Sequence, residues 1–340
     1  MKKERTHNGL TDVAGIAVGH FSDPDLMTGV TVILAGSGAT GGVDVRGGAP
    51  GTRETDLLNP VNLVDRVHAV AFCGNSAFGL NAVGGVMRFL EERGTGFAVG
   101  DGRVVPLVPA AVLFDLGRGQ KEGHVSEAFG YEACQRATTG PVPQGNVGAG
   151  TGAVAGGLKG GIGTASETLE DGITVGGLVA VNSFGSPVEP HTGRFYARYL
   201  ERTGEFDRLK PDTARPAKMS SAAPRGKPGG HTTLAVVATD AILTKTQATR
   251  VAQMAHDGLA RAIMPAHTMF DGDTVFALAT GRIHLPKADT PFGPEPVESL
   301  TRIGSSAADV LSRAVIHAML TAETAGSFLS YRDKYPEAFL

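Results

Sequence analysis

The feature that most constrains this chain is an abrupt change of character at residue 231. Residues 203–230 contain four prolines, four glycines and few large apolar side chains, which is typical of a linker. From Thr232 the chain becomes an apolar, β-branched run, TTLAVVAT, which predicts a buried strand. The strand therefore begins directly at the end of a long polar loop, and the junction is a candidate cleavage point.

A cut at this junction would give one residue two chemical roles. If the peptide bond between His231 and Thr232 were broken, Thr232 would carry a free α-amine beside its own hydroxyl. An α-amine has a pKa of about 7.7–8.0, so it can accept the hydroxyl proton near neutral pH. This is the arrangement of an N-terminal nucleophile. The competing interpretation is an ordinary strand start, where threonine is common.

Charge and cysteine content exclude several classes of protein. The chain has 31 basic and 34 acidic residues, a net charge of −3, so no overall field favours nucleic acid or an anionic membrane. Cys73 and Cys134 are too few for a disulfide framework and have no metal-binding spacing. The charged N-terminus is followed by no apolar segment, and no run of about 18 apolar residues occurs. We expect a cytoplasmic protein with no membrane partner.

The hydrophobic pattern predicts a layered α+β fold. Short strands are expected within 16–45, at 67–72, within 104–116, at 174–182, from 232 and at 275–280, and helices at 75–93, 125–138, 246–263 and 297–324. Strands follow one another in meanders and helices segregate, which favours a layered arrangement over a doubly wound one. The only internal boundary is the linker, so we interpret residues 1–340 as one catalytic domain.

Five motifs in chain order carry a family resemblance. They are DVRGGAPGTRETD (44–56), GNVGAGTGAVAGGLKGGIGTAS (145–166), GGLVAVNSFG (176–185), HTTLAVVATDA (231–241) and PAHTMFDGDTVFALAT (265–280). Together they resemble the family of L-aminopeptidase D-amidase/D-esterases, β-peptidyl aminopeptidases and nylon-oligomer endohydrolases, over about residues 9–324. The Thr-Thr start and the Asp-Gly-Asp-Thr motif are more similar to the nylon-oligomer branch, since the β-peptidyl aminopeptidases use serine as nucleophile.

The resemblance implies a fold, a processing step and an assembly. The fold is a four-layer αββα sandwich of the N-terminal-nucleophile type, and the precursor cuts itself into an α chain, 1–231, and a β chain, 232–340. Many threonine-type relatives have asparagine before the cut, whereas this chain has His231. No cofactor is implied. The expected assembly is a dimer or tetramer of cleaved αβ units, because closed two-fold symmetry is the commonest arrangement.

Two further residues receive catalytic roles from the resemblance. Asn182 is similar to the asparagine whose side-chain amide faces the developing oxyanion, although a turn residue at a strand end is the plain alternative. Lys159 resembles the lysine placed beside the nucleophile, where its positive charge would lower the pKa of the amine. A lysine in a glycine-rich loop is otherwise usually a solvated charge.

Asp271 and Asp273 match the family's paired aspartates, which hydrogen-bond the hydroxyl and the ammonium of the threonine. Two carboxylates this close are expected to titrate as a coupled pair. Asp-Gly-Asp is also a good turn, and the further acidic residues of a Ca²⁺ loop are absent. Thr233 and Thr274 are candidates only for contacting these catalytic groups and holding them in position.

Other catalytic classes lack their motifs. His191, His267 and His284 have no zinc-protease spacing, so no metal site is predicted and surface or hydrogen-bonded histidines are expected. The glycine-rich segment 145–166 lacks the Gly-Lys-Ser/Thr ending of a phosphate-binding loop, so nucleotide binding is not predicted. A Ser-His-Asp triad is not predicted either, because no Gly-x-Ser-x-Gly nucleophile elbow occurs.

The sequence thus predicts a self-processing N-terminal threonine hydrolase that works through an acyl-enzyme. The expected substrates are short peptides, amino-acid amides or nylon-type ω-amino-acid oligomers. An acyltransferase of the ornithine acetyltransferase type, which passes the acyl group to an amine, is the alternative. A third possibility is a scaffold that never cleaves. The side-chain preference and the choice between internal and amino-terminal cleavage stay open.

Overall fold

The computed structural model describes residues 7–202, 204–210, 230–291 and 293–340. In these residues the strands are β1 (Ala17–Asp23), β2 (Thr28–Val45), β3 (Thr52–Arg53), β4 (Arg66–Cys73), β5 (Phe97–Gly100), β6 (Arg103–Val105), β7 (Ala110–Val112), β8 (Val154–Ala155), β9 (Leu158–Lys159), β10 (Gly161–Thr168), β11 (Thr174–Asn182), β12 (Thr232–Ala241), β13 (Thr274–Ile283), β14 (Ala288–Thr290) and β15 (Gly293–Glu295). The α-helices are α1 (Ala82–Glu91), α2 (Glu127–Gln135), α3 (Lys245–Ala262), α4 (Val297–Thr321) and α5 (Tyr331–Lys334).

Strand β2 connects the two halves of one large sheet. The strand order is β10-β11-β12-β13-β2-β4-β7-β3, and β1 also pairs with β2. The first part of β2 pairs with β1 and β4, and its last part pairs with β13. Between them the register with β4 shifts, and Gly36 and Gly38 have φ values of +47° and +95°. Glycine adopts this left-handed backbone at little cost, so the bulge can bend the strand from one layer into the other.

Three apolar clusters separate four layers. The middle cluster joins Leu234 and Val236 of β12 to Val70 and Phe72 of β4, so it lies between the two halves of the sheet. The neighbouring Val237 belongs to a second cluster with α3 and α4, because successive side chains of a strand face opposite sides. A third cluster packs α1 and α2 on β2, β4 and β7. The layer order is therefore α3/α4, sheet, sheet, α1/α2, which confirms the predicted αββα sandwich.

The directions of three neighbouring strands bring distant residues to one edge of the sheet. Strands β11 and β12 are antiparallel, and Asn182, the last residue of β11, pairs with Thr232, the first residue of β12. Strands β12 and β13 are parallel, with Leu234 opposite Thr274. The end of β11, the start of β12 and the loop before β13 therefore meet at the same edge.

Part of the predicted linker is packed against the body. Among residues 204–210, the side chain of Phe206 is 1% exposed, and Leu209 forms a β-bridge with Phe339. Glu205 makes a buried ion pair with Arg313 of α4. Residues 203 and 211–229, the rest of the predicted linker, lie outside the described residues. No helix in the described ranges is long and apolar enough to cross a membrane.

Candidate active site

The hydroxyl of Thr232 lies against the peptide bond that precedes it. Thr232 is 4% exposed, and its Oγ1 donates to the carbonyl oxygen of His231 at 2.5 Å. The backbone N–H of Gly272 donates to the same Oγ1 at 3.2 Å. A Cβ on Gly272 would stand 2.9 Å from this oxygen, so only glycine lets the backbone approach without a shift. The nucleophile predicted from the sequence is thus held beside the carbonyl of residue 231.

Asn182 is held in one orientation by two donors. Its Oδ1 accepts from Arg118 Nη1 at 2.6 Å and from the N–H of Val154 at 3.0 Å. Its Nδ2 donates to the carbonyl of Phe114 at 3.2 Å. Because an amide oxygen accepts and the amide nitrogen donates, these contacts fix which atom is which. Asn182 lies opposite Thr232 in the sheet register, and among the described residues the carbonyl of Phe114 is the one recorded acceptor for its Nδ2.

Arg118 is a site residue that sequence reasoning missed. Besides Asn182, its guanidinium donates to the carbonyl of Gly152 at 2.6 Å and to the carbonyl of Gly230 at 3.0 Å. Gly230 lies two residues before Thr232, so Arg118 holds both the amide of Asn182 and the segment that leads to the nucleophile. The only signal in the sequence is an arginine between two glycines, directly after a predicted strand region.

Lys159 is fully buried, not solvated. Its Nζ donates to the carbonyls of Gly150 at 2.9 Å and Gly160 at 2.7 Å. Burial first, and then the positive charge of Arg118, lower the pKa of Lys159 to about 7, while Asp115 acts in the opposite direction. Within the described residues no hydrogen bond joins Lys159 to Thr232.

Asp271 and Asp273 contact the site differently from the prediction. Asp273 Oδ1 accepts from the N–H of Thr233 at 2.7 Å. Asp271 accepts from the N–H of Phe184 at 3.0 Å and from the hydroxyl of Thr268. The contact to the Thr232 hydroxyl comes from the backbone of Gly272, not from either carboxylate. The carboxylates hold the backbone on two sides of the site, because Asp273 accepts the N–H that follows Thr232 and Asp271 accepts an N–H two residues after Asn182.

Burial first, and then the negative charge of Asp273, raise the pKa of Asp271 above its ordinary value. The charge of Asp273 thus acts on Asp271, whereas the coupled titration of the pair stays a prediction. His267 also touches the pair, since both its backbone N–H, at 3.0 Å, and its Nδ1, at 2.8 Å, contact Asp273 Oδ2. His267 was expected to be a surface or hydrogen-bonded histidine, and the second description is correct, whereas His191 and His284 are exposed.

The two supporting threonines have different roles. The hydroxyl of Thr274 donates to the carbonyl of Gly272 at 3.0 Å and so braces the glycine that contacts Thr232. Thr233 acts through its backbone, because its buried Oγ1 has no hydrogen-bond partner among the described residues. Among all the residues that the structure describes, no group of three or more His, Cys, Asp or Glu side chains is arranged so that it could hold a metal ion.

The family assignment follows from a sequence comparison. The profile of peptidase family S58 matches residues 8–330. The chain belongs to peptidase family S58. This confirms the resemblance stated from the five motifs, and it makes the chain an enzyme that hydrolyses amide bonds.

Several S58-like relatives cover nearly the whole chain. An uncharacterised aminopeptidase of Mycobacterium tuberculosis is 48% identical over 345 residues, covering 98% of this chain and 99% of the relative. A 6-aminohexanoate-oligomer endohydrolase of Kocuria sp. is 30% identical over 316 residues, covering 90% of this chain and 84% of that enzyme. None of these relatives is described as an acyltransferase, so the acyltransferase alternative receives no support.

Solved structures agree on the fold of this S58 peptidase. A β-aminopeptidase of Burkholderia sp. superposes with a TM-score of 0.66 at 27% identity, covering 98% of this chain and 94% of the other. An L-aminopeptidase D-Ala-esterase/amidase of Ochrobactrum anthropi, described as a variant of the Ntn-hydrolase fold, gives a TM-score of 0.70 at 23% identity, covering 97% and 94%. The predicted N-terminal-nucleophile-like fold is therefore confirmed.

Proposed function

We propose that the chain cuts itself between His231 and Thr232 and that Thr232 is then the nucleophile of an N-terminal threonine hydrolase. The observation that carries this proposal is the Thr232 hydroxyl, 2.5 Å from the carbonyl oxygen of His231 and fixed from the other side by Gly272 N–H. A hydroxyl held beside the carbonyl it attacks needs little reorganisation to react.

The self-cleavage is an acyl transfer followed by hydrolysis. Thr232 Oγ1 forms a bond to the carbonyl carbon of His231, the C–N bond breaks, and the nitrogen takes up the hydroxyl proton and leaves as the α-amine of Thr232. Water then hydrolyses the ester, which frees the carboxylate of His231. In turnover the same Oγ1 attacks a substrate amide, the α-amine takes its proton, and Asn182 Nδ2 faces the oxyanion.

Lys159 and the two aspartates act on the amine in this proposal. Near neutral pH a lysine with a pKa of about 7 carries part of a positive charge, which disfavours protonation of a neighbouring amine. Asp273, bound to the N–H of Thr233, sets the position of the strand start and hence of the amine. Asp271, bound to the N–H of Phe184, holds the segment that follows Asn182.

The substrate class follows the relatives. Their names describe aminopeptidases and an endohydrolase of 6-aminohexanoate oligomers. We therefore propose short peptides, amino-acid amides or nylon-type oligomers as substrates. The proposed assembly is a dimer or tetramer of αβ units, which the exposed apolar side chains of Phe97, Val99 and Val105 on the β5–β6 hairpin would help to form. The proposed compartment is the cytoplasm.

Fragment analysis tests the proposal. Mass spectrometry of the purified protein is expected to show a smaller fragment that begins at Thr232. Thr232→Ala is expected to stay uncut and inactive, and Thr232→Ser to keep part of both activities. Thr174→Ala is a matched control, because Thr174 begins β11 at the opposite end of the ladder and this variant should still be cut. A fragment with another first residue, or an active Thr232→Ala, would contradict the proposal.

A further inference from the structure

Arg118 binds the peptide segment that the enzyme itself would cleave. Its Nη2 lies 3.0 Å from the carbonyl oxygen of Gly230, and its Nη1 holds the amide of Asn182 at 2.6 Å. One guanidinium therefore joins the proposed oxyanion residue to the backbone of the residue before His231. A guanidinium has no acceptor and keeps its charge, so it selects oxygen atoms at this place.

The segment of the chain that ends at His231 indicates where the acyl part of a substrate lies. When Thr232 Oγ1 attacks the carbonyl of His231, the product is an ester in which the α chain is the acyl group on the nucleophile. Any substrate passes through an ester on the same oxygen. The acyl residue of a substrate therefore takes the position of His231, and the carbonyl attached to its nitrogen takes the position of the Gly230 carbonyl.

From this geometry we infer that Arg118 makes the enzyme favour acyl groups that carry a carbonyl on the nitrogen of the acyl residue. Such groups come from internal amide bonds of peptides or oligoamides, or from N-acylated amino acids. A substrate with a free amino-terminal residue lacks this carbonyl. This inference rests on the proposed function, and it names the substrate class for the site at Thr232.

Electrostatics separates the two kinds of substrate in the same direction. The nitrogen of His231 is bonded to the carbon whose oxygen Arg118 binds, so a free ammonium there would lie close to the guanidinium. Two like charges this close in a partly buried site repel each other. An acylated nitrogen is neutral and avoids this repulsion.

The surroundings of His231 keep its own side chain neutral. Its ring makes an edge contact with Phe184, with centroids 5.5 Å apart, and Phe184 packs on Phe270 at 5.2 Å. Burial first, and then the charge of Arg118, lower the pKa of His231 to about 4, so the imidazole is neutral at pH 7. The acyl residue therefore lies between an aromatic wall and a cation, which disfavours positively charged side chains.

Three 4-nitroanilides with the same scissile bond test the inference on the mature, self-cut enzyme. N-acetylhistidine 4-nitroanilide carries the carbonyl, the 4-nitroanilide of 3-(imidazolyl)propionic acid lacks both carbonyl and amine, and histidine 4-nitroanilide carries the free ammonium. For the wild type we expect kcat/KM to fall in this order. In Arg118→Gln the ratio of the first to the second is expected to fall about tenfold, the scale of a hydrogen bond to a charged group. Arg118→Lys should recover part of this ratio.

Ratios within one preparation separate a role in specificity from a structural one. If Arg118 only supported the fold, Arg118→Gln would lower all three rates and leave their ratios unchanged, and the inference would be wrong. It would also be wrong if wild type preferred histidine 4-nitroanilide, or if enzyme with Thr232 at its N-terminus hydrolysed none of the three faster than Thr232→Ala. Should Arg118→Gln fail to cut itself, the order in the wild type decides alone. An uncut but active wild type would instead contradict the proposed function.

Discussion

Replacing Gly272 with alanine tests the geometry that holds Thr232, the proposed nucleophile. A methyl group at this position would lie 2.8 Å from the carbonyl oxygen of Ala49, 2.9 Å from Thr232 Oγ1 and 3.1 Å from Cα of Pro50. Ordinary contacts to carbon lie at about 3.5–4.0 Å, so relief requires a displacement of about 0.5–1 Å. Ala49 and Pro50 present backbone atoms, so the hydroxyl of Thr232 and the Gly272 loop are the parts that move.

The expected effect on chemistry exceeds the effect on stability. Overpacking by one methyl group costs about 1–3 kcal/mol of folding free energy. A displacement of a reacting group by about 1 Å costs on the order of 100-fold in rate. We therefore expect Gly272→Ala to fold and to cut itself about 100 times more slowly than the wild type. Gels of newly synthesised protein over time, with circular dichroism to confirm folding, measure both quantities.

Gly140→Ala is the matched control for this experiment. The nearest heavy atom to a methyl group on Gly140 is Thr138 Oγ1 at 3.4 Å, and Gly140 does not have a left-handed backbone. Gly140→Ala is expected to process at the wild-type rate. If folded Gly272→Ala also processed at that rate, the contact between Gly272 and Thr232 would not control the cleavage, and our reasoning about the nucleophile would be refuted.

Three more predictions concern buried polar groups. The pKa of Lys159 is about 7 in the folded protein, so between about pH 7 and pH 10 the unfolded chain binds more protons than the folded one. The free energy of unfolding should therefore rise with pH in that window. Lys159→Met should lose this rise when urea titrations at pH 7 and pH 9 are compared. Glu205 links the two proposed fragments, and although burial raises its pKa, its partners His317 and Arg313 lower the pKa overall to about 2. Glu205→Gln should lower the stability of the cut protein by about 3–5 kcal/mol, because it breaks a buried ion pair. Asp171→Asn, at an exposed pair, should cost under about 1 kcal/mol, and equal losses for the two variants would contradict this prediction. Asn182→Asp keeps an oxygen toward Arg118 but removes the donor, so kcat should fall about 100- to 1,000-fold with a smaller change in KM; a normal kcat would exclude an oxyanion role.

Elements with a continuous local pattern were predicted closely. Strand β11 runs from Thr174 to Asn182, as predicted, and β12 begins at Thr232. Helix α4 begins at Val297 as predicted and ends at Thr321, three residues early. Apolar residues that repeat over many positions determine such elements from within, so the sequence contains the information.

The single 18-residue strand β2 was not predicted. Its glycines, among them Gly36 and Gly38, break the apolar pattern into short runs, and the sequence therefore indicated a meander. The strand is continuous because β4 pairs with it on both sides of the bulge and β13 pairs with its last part. Partners so far away in sequence leave no local signal.

The contacts of the site were predictable only in part. Asn182 ends one strand and Thr232 begins the next one in the sheet, so antiparallel pairing of the two strands places these residues opposite each other. Arg118 reaches Gly230 across 112 residues from a loop, which no spacing rule indicates. The carboxylate of Asp273 turns toward Thr233 because the backbone N–H groups of residues 46 and 47 both bind its carbonyl and fix the loop. The direction of a side chain in such a loop depends on these backbone hydrogen bonds and not on the sequence motif.

The two proposed reactions of Thr232 make different demands on these residues. In the uncut chain the nitrogen of Thr232 is an amide and cannot accept a proton, and the described groups that hydrogen-bond Oγ1 are the His231 carbonyl and the Gly272 N–H, neither of which is a base. Self-cleavage therefore depends mainly on holding the hydroxyl against the carbonyl. Turnover gains the α-amine as its base, and only then do charges that adjust the pKa of that amine affect the rate. Lys159 is therefore expected to matter more for turnover than for processing, whereas Gly272, which contacts the hydroxyl, and the two aspartates, which bind backbone N–H groups of the site, are expected to matter for both.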